Sequence, residues 1–330
     1  MLENGHEVFD ITIIGGGPTG LFASFYAGMR EMKVKILDSL PQLGGQLSEL
    51  YPDKYIYDVG GFPKILAKDL VANLAEQANY GKPEICLGET VLAANRDGDL
   101  FVIETDKGVH YSRTVLITAG VGAFQPRKLN VEGAESFEGK TLHYGVKDLS
   151  SFKGTEVLVC GGGDSAVDWA LMLEGVADKV TLVHRRERFT AHETSVTKLH
   201  ESTVEVKTSH NVKILQGDEG RLDEVVLVSK AGEETNLHAD HVIVNYGNVS
   251  SLGPLKEWGL EMEKNSIVVN TKMETSIEGI YAAGDVTTYD GKVKLIAVGL
   301  GEAPIAINNA KAYLDPKSRV QPLHSTSVFK

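Results

Sequence analysis

The stretch Ile13-Ile14-Gly15-Gly16-Gly17-Pro18-Thr19-Gly20 decides the fold, because it lies between an apolar run, Ile11 to Ile14, and a helical pattern, Leu21 to Met29. A strand that ends in glycines and runs straight into a helix is a cradle for a dinucleotide. Gly15 permits the tight turn, Gly17 lets backbone approach a pyrophosphate, and Gly20 lets the helix pack on the sheet with its N-terminus towards the phosphate charge. A second apolar strand, Val34 to Leu37, ends in Asp38, close to the offset of about twenty residues at which a carboxylate accepts hydrogen bonds from a ribose. Strand, helix, second strand and acid in register separate this pattern from a glycine turn that only packs a helix tightly.

At 330 residues, 42% of them hydrophobic, the chain can bury a large core and is long enough for two domains. Its start, Met1 to Glu7, has no basic n-region or apolar h-region, and no run reaches the roughly eighteen apolar residues that span a bilayer. A cytoplasmic protein is therefore expected. The formal net charge of -12 argues against nucleic-acid or acidic-membrane binding. Cys86 and Cys160 lie far apart on separate apolar strands, which supports neither a disulfide framework nor a metal cluster and suits small buried hydrophobes.

Beyond Asp38, the loop Pro41 to Leu47 carries paired glycines, Gly44 and Gly45, and Gln46 offers an amide to a polar heterocycle edge. Tyr51, before Pro52, either stacks on a planar cofactor or covers core. Ala67 to Tyr80 has helical spacing, and Glu84 to Leu87, Val91 to Asn95, Leu100 to Thr105 and Thr114 to Thr118 read as strands. The last leads into Ala119-Gly120-Val121-Gly122 and then Phe124, the exit from a first domain.

A second cradle stands at Val157 to Ala166, with Gly161, Gly163, Asp164 and Ser165 in sequence, Ala166 in the third glycine position and a helix from Asp164 to Leu173. Its second strand, Lys179 to Val183, ends in His184-Arg185-Arg186 where the first ends in an acid. A carboxylate there would repel the 2′-phosphate of NADP, whereas two guanidiniums bind it through charge-assisted contacts; a solvated basic turn is the other reading. The strands Val212 to Gln216, Glu224 to Ser229 and His241 to Asn245 form a small β-rich completion, and Tyr246-Gly247-Asn248 is the return crossing. Gly279 to Asp285 is then an apolar strand ending in Gly-Asp, where Asp285 either meets a ribityl hydroxyl or caps a turn. Lys294 to Tyr313 is helical.

GGGPTG with Asp38, GGGDSA with His184-Arg185-Arg186, and Tyr281-Ala282-Ala283-Gly284-Asp285 stand in one order, and the chain thereby resembles the thioredoxin-reductase-like flavoproteins over nearly its whole length. The resemblance implies an α/β fold of two Rossmann-like, three-layer ββα dinucleotide-binding domains. An FAD domain, 1–123 and 249–330, is interrupted by an inserted NADPH domain, 124–248. Where thioredoxin reductases carry a redox-active CxxC, this chain reads His143-Tyr144-Gly145-Val146-Lys147-Asp148, so no dithiol stands there. That absence, the Gly44-Gly45-Gln46-Leu47 and Leu50-Tyr51-Pro52 loop, and the tail Pro322-Leu323-His324-Ser325-Thr326-Ser327 make the chain similar to the thioredoxin-reductase-like ferredoxin–NADP reductases.

Carried over, the resemblance implies that FAD meets Gly15, Gly17, Thr19, Gly20, Asp38, Gly45, Gln46, Tyr51, Val91, Phe124, Asp285 and Thr326. It implies that NADPH meets Gly161, Gly163, Asp164, Ser165, Ala166, His184, Arg185 and Arg186. A homodimer is implied, with Tyr51 and His324 of a tail from the other subunit on opposite faces of one flavin. The family's His-Arg-Arg segment often continues with Arg after the Phe; here Phe189 is followed by Thr190, and Arg188 is the candidate to compensate. The reaction implied is hydride transfer from NADPH to flavin N5 and one-electron exchange with ferredoxin or flavodoxin, without an acid, base or nucleophile side chain and without a metal. The rivals are an NADPH-dependent flavoprotein reducing a small disulfide, quinone or oxygen, and a flavin- and NADP-binding module without turnover.

Overall fold

The computed structural model describes every residue except 1, 4, 121, 147, 322–325 and 327–330. The chain forms two compact units, Met1–Phe124 with Ser250–Lys330, and Gln125–Val249.

In the first unit β1 (His6–Ile14), α1 (Pro18–Met29) and β2 (Val34–Asp38) make the leading β-α-β. Ile11, Ile13, Ile36 and Leu37 are all fully buried, because a parallel sheet covered on both faces needs continuous apolar strands rather than alternating ones. After α2 (Ala67–Ala78), β3 (Glu84–Leu87) adds to β2 in parallel. β4 (Val91–Asp97), β5 (Leu100–Thr105) and β6 (Val109–Ile117) form an antiparallel meander. The end of β6 runs parallel to β1 and takes the returning strand Ile280–Ala282 on its other edge. α1 packs between α2 and the C-terminal helix Ile296–Leu314, giving layers of helices, parallel sheet and meander. β6 begins five residues ahead of the Thr114 suggested by sequence because its first half pairs with β5.

In the second unit β7 (Leu142–His143), β8 (Glu156–Gly161), α3 (Asp164–Glu174), β9 (Lys179–His184), α4 (Glu193–Glu201) and β10 (Glu205–Thr208) precede three antiparallel strands. These are β11 (His210–Asp218), β12 (Arg221–Ser229) and β13 (Glu234–His238), followed by β14 (His241–Asn245). The parallel sheet runs β7-β14-β8-β9-β10. Alternate residues of β8 serve different faces: Val157 and Val159 pack on α3, while Leu158 and Cys160 pack on the antiparallel sheet. The crossing segments, Ala123–Pro126 and Asn248–Ser251, pair with each other as a two-stranded ribbon.

Candidate cofactor and nucleotide sites

The first cradle uses its glycines in three different ways. Gly15 has φ +110, and a Cβ on it would fall 2.6 Å from the Thr118 carbonyl oxygen. A Cβ on Gly20 would fall 2.0 Å from the Gly15 carbonyl oxygen, so only glycine lets α1 sit this close to the turn. A Cβ on Gly17 would meet nothing within 4 Å: this residue faces open space. Gly17 is also the N-cap of α1 and lends no side-chain cap, which leaves the first N–H groups and the positive end of the helix dipole to an outside anion. Thr118 pins the turn by donating its hydroxyl to the Gly15 carbonyl at 2.7 Å.

Asp38 is 7% exposed; its Oδ2 accepts the Gly16 N–H at 2.6 Å and its Oδ1 the Leu40 N–H at 2.8 Å. Each oxygen keeps a second lone pair, which is what a pair of vicinal ribose hydroxyls requires. Burial raises the carboxyl's pKa, and the two N–H bonds oppose the rise.

Both features open on one cleft of about 380 Å³, within the usual range for cofactor sites. Gly15, Gly17, Thr19, Asp38, Gly45, Gln46, Tyr51, Val91 and Asp285 all line it. Gly20 lies just behind, buried against Gly15. Gln46 opens a short helix, Gln46–Leu50, where the sequence suggests only loop; Gly45 with φ 56 is its N-cap. Tyr51 packs against the cluster of Leu21, Leu47 and Leu70, as its core reading has it, and also borders the cleft. Val91 pairs with Thr105 at the start of β4 and lines the cleft, and the register shifts between it and Ala93, so the strand bulges just beyond it. Burial raises the Asp285 carboxyl, while Lys292 and Lys294 lower it. An uncapped helix end and two acids lining one cleft fit a dinucleotide with its pyrophosphate at Gly17. Phe124 has its side chain outside the described residues, as has His324 entirely; Thr326 is exposed.

The second cradle repeats the plan with a different turn. Gly163 caps α3 without a side-chain bond, and Ala166 is fully buried beside Gly161. His184 lies under the turn rather than on the surface: it is 7% exposed, stacks on Phe189 at 5.2 Å, and a Cβ on Gly162 would fall 2.1 Å from its ring. Burial lowers its pKa, with Arg186 and Arg185 adding to the effect. Arg185, Arg186 and Arg188 are exposed, as are Asp164 and Ser165. Asp164 accepts the His192 N–H at 2.8 Å, and Thr190 donates both its N–H, at 2.7 Å, and its hydroxyl, at 3.1 Å, to the Gly162 carbonyl. Beside Gly161 in register, Asn245 ends β14 with a buried Nδ2 that has no hydrogen-bond partner among the described residues. A donor left over at the strand ends of a Rossmann-like sheet suits a polar ligand.

Three contributors escape sequence reading. Glu89, 8% exposed, borders the cleft while accepting from Thr105 at 2.6 Å and lying 2.6 Å from His110 Nε2; its place after β3, next to the strand that ends in Asp38, is the signal. Thr118 has none beyond its position at a strand end. Thr190 reads as a missing arginine, and nothing in its side-chain type announces its bonds to Gly162. Cys86 departs from expectation too, being half-buried with its thiol 3.8 Å from Glu84.

The pattern of the pyridine nucleotide-disulphide oxidoreductase family matches residues 9–310. The chain is 59% identical to the ferredoxin–NADP reductase of Geobacillus kaustophilus (strain HTA426) over 331 residues, 99% of this chain and 99% of that protein. It is 61% identical to that of Halalkalibacterium halodurans over 325 residues, 98% of each. Among solved structures, thioredoxin reductase from T. acidophilum superposes with a TM-score of 0.79 at 28% identity, over 94% of this chain and 99% of that one. Paired cradles in the right order, a family pattern spanning both units and this level of identity from end to end mean that the chain belongs to the pyridine nucleotide-disulphide oxidoreductases, among the ferredoxin–NADP reductases.

Proposed function

We propose that the cleft of the first unit holds FAD through the residues gathered there, that the second unit holds NADPH, and that the domain limits are 1–123 with 249–330 and 124–248. The chain is an FAD-dependent oxidoreductase that exchanges electrons between NADPH and ferredoxin; flavodoxin is a compatible carrier. FAD supplies what no side chain can, taking up a hydride and giving electrons singly. The protein's part is to hold and orient. Gly17 and the end of α1 take the pyrophosphate, Asp38 the adenosine ribose, Asp285 the ribityl chain, and Tyr51 one face of the flavin. Val91 offers backbone to the adenine. Arg185 and Arg186 take the 2′-phosphate at the mouth of the second cradle.

The observation that carries this reading is the meeting of an uncapped helix N-terminus at Gly17 with two carboxylates, Asp38 and Asp285, in one cleft. A dithiol relay has no support. Cys160 is fully buried with its thiol pushed up to about 12 by burial, and the only other cysteine, Cys86, belongs to the other unit. We also assign a homodimer, in which Phe124 lines the cofactor near the crossing and His324 and Thr326 of the tail complete the site across the subunit boundary. We place the protein in the cytoplasm, in keeping with the absence, among the described residues, of a helix long and apolar enough to cross a membrane.

The test is NADPH-dependent cytochrome c reduction by the purified yellow protein, with and without ferredoxin, at two ionic strengths and again with NADH. Ferredoxin-dependent, salt-sensitive turnover that prefers NADPH is the expected result. Turnover indifferent to ferredoxin would move the assignment to a small acceptor, and no turnover at all to a binding module.

A further inference from the structure

Beside the turn that carries Asp285, the C-terminal helix places Glu302, 3% exposed. Its Oε2 accepts the Gly284 N–H at 2.7 Å, and its Oε1 accepts the Tyr289 hydroxyl and the Lys292 ammonium, each at 2.5 Å. Lys292 and Glu302 are both 4% exposed at the side chain. A buried ion pair of this kind is seldom worth more to stability than an apolar replacement, so its presence asks for another role. The turn it holds is tightly confined. Gly284 has φ +84, a Cβ on it would fall 2.9 Å from Thr19 Oγ1, and a Cβ on Gly299 of the C-terminal helix would fall 2.3 Å from the same atom. Only backbone fits between α1 and that helix, and Asp285 is the next residue.

We propose that Lys292 and Glu302 are a positioning pair for Asp285: the carboxylate fixes the Gly284–Asp285 turn, and the ammonium balances the two carboxylates that share that corner. The inference rests on the assignment of FAD to the cleft and deepens it. The groups that act on Asp285 are Lys292 and Lys294 from the loop before the C-terminal helix, Glu302 from that helix, and Tyr51 beyond the Gln46–Leu50 helix. Lys292 lowers the Asp285 carboxyl and Glu302 raises it, so the pair acts on the acid with opposite signs. Tyr289 stays a donor, because burial and Glu302 push its hydroxyl up to about 12. An ionised Asp285 accepts hydrogen bonds from a polyol on both oxygens; a protonated one loses part of that capacity.

The experiment follows release of FAD from the holoprotein by flavin fluorescence as the pH is lowered, in the parent, Lys292→Met, Glu302→Gln, and the double variant. Lys292→Met leaves an unbalanced carboxylate beside Asp285, and the pH of release should rise by about one unit, equivalent to about tenfold weaker binding in that range. Glu302→Gln keeps an acceptor for Gly284 but removes the negative charge, and the pH of release should fall. The double variant should return towards the parent. Opposite shifts are the readout that a purely structural role cannot give, since that role weakens retention in both single variants. Same-sign shifts, or a double variant no better than Lys292→Met, overturn the proposal. Should Lys292→Met fail to fold, Glu302→Gln alone decides: an unmoved or raised release pH overturns it. A parent protein that holds no FAD overturns it as well, and that outcome is distinct because it is seen before any substitution.

Discussion

The Asp38 carboxylate accepts the Gly16 N–H at 2.6 Å, so the acid that ends the second strand is fastened to the turn that ends the first. Burial holds this carboxyl above the ordinary range, with the N–H bonds from Leu40 and Gly16 opposing. The neutral acid therefore forms at a higher pH than in a free aspartate, and retention of FAD should weaken as the pH falls, starting above the usual carboxylate titration. Asp38→Asn should weaken FAD binding about 10- to 100-fold at neutral pH and remove part of this pH dependence, measured by flavin fluorescence on dilution.

Gly17 and Gly20 separate binding from folding. Gly20→Ala puts a methyl 2.0 Å from a backbone oxygen that cannot swing away, and should cost about 1–3 kcal/mol or more in urea unfolding. Gly17→Ala meets no protein atom within 4 Å, so the apoprotein should unfold with the parent's midpoint while FAD is excluded. An equal loss of stability in both would contradict the assignment of Gly17 to the ligand.

Arg185 and Arg186 are exposed directly after β9, while Thr190 is bonded to the turn of the second cradle. Replacing both arginines by Ala should raise KM for NADPH about 10- to 100-fold and leave NADH nearly unchanged. Thr190→Val, by loosening the Gly162 carbonyl, should raise KM for both nucleotides alike. Steady-state kinetics with the two nucleotides distinguishes a phosphate ligand from a support for the turn.

His143 Nε2 lies 3.1 Å from His241 Nδ1, and burial, with His241 adding, pushes the His143 imidazole down to about 4. The unfolded chain takes up this proton first, near the ordinary histidine value of 6.5. The contribution is thus fully present above about pH 6.5, is lost as the pH falls towards about 4, and changes no further below that. Discounted for solvent screening, the loss should be about 1–2 kcal/mol, and His143→Phe should flatten that part of the unfolding profile.

Both cradles, their helices and the strands beside them are legible in sequence because each depends on local chemistry: glycine where a Cβ collides, apolar runs where a sheet is covered twice. Asp38 is legible because it ends β2, whereas the strand expected to run from Gly279 to Asp285 spans only Ile280–Ala282 and leaves Asp285 in the turn that follows. The rest is not local. α4 buries only Leu199, so Glu193–Glu201 carries no apolar stripe to announce a helix. The bonds from Thr190 to the Gly162 carbonyl and from the Gly284 N–H to Glu302 join residues 28 and 18 positions apart through backbone atoms, which leave no mark on side-chain type. His184 reads as a neighbour of two arginines, and the pleat of β9 turns it inward under Gly162 instead.

The ribbon formed by Ala123–Pro126 and Asn248–Ser251 has a consequence for the ancestry of such chains. Where two crossings pair, entry and exit lie about 5 Å apart, the width of one ladder. A guest whose own ends meet can be grafted into a host at such a root without tearing any strand from the host's sheet. Cutting out Gln125–Val249 and closing the gap with a tight turn should leave the host foldable, and another guest with adjoining ends should take the same seat. The junction works as a socket, at which one module can be exchanged for another while the host's sheet is left whole.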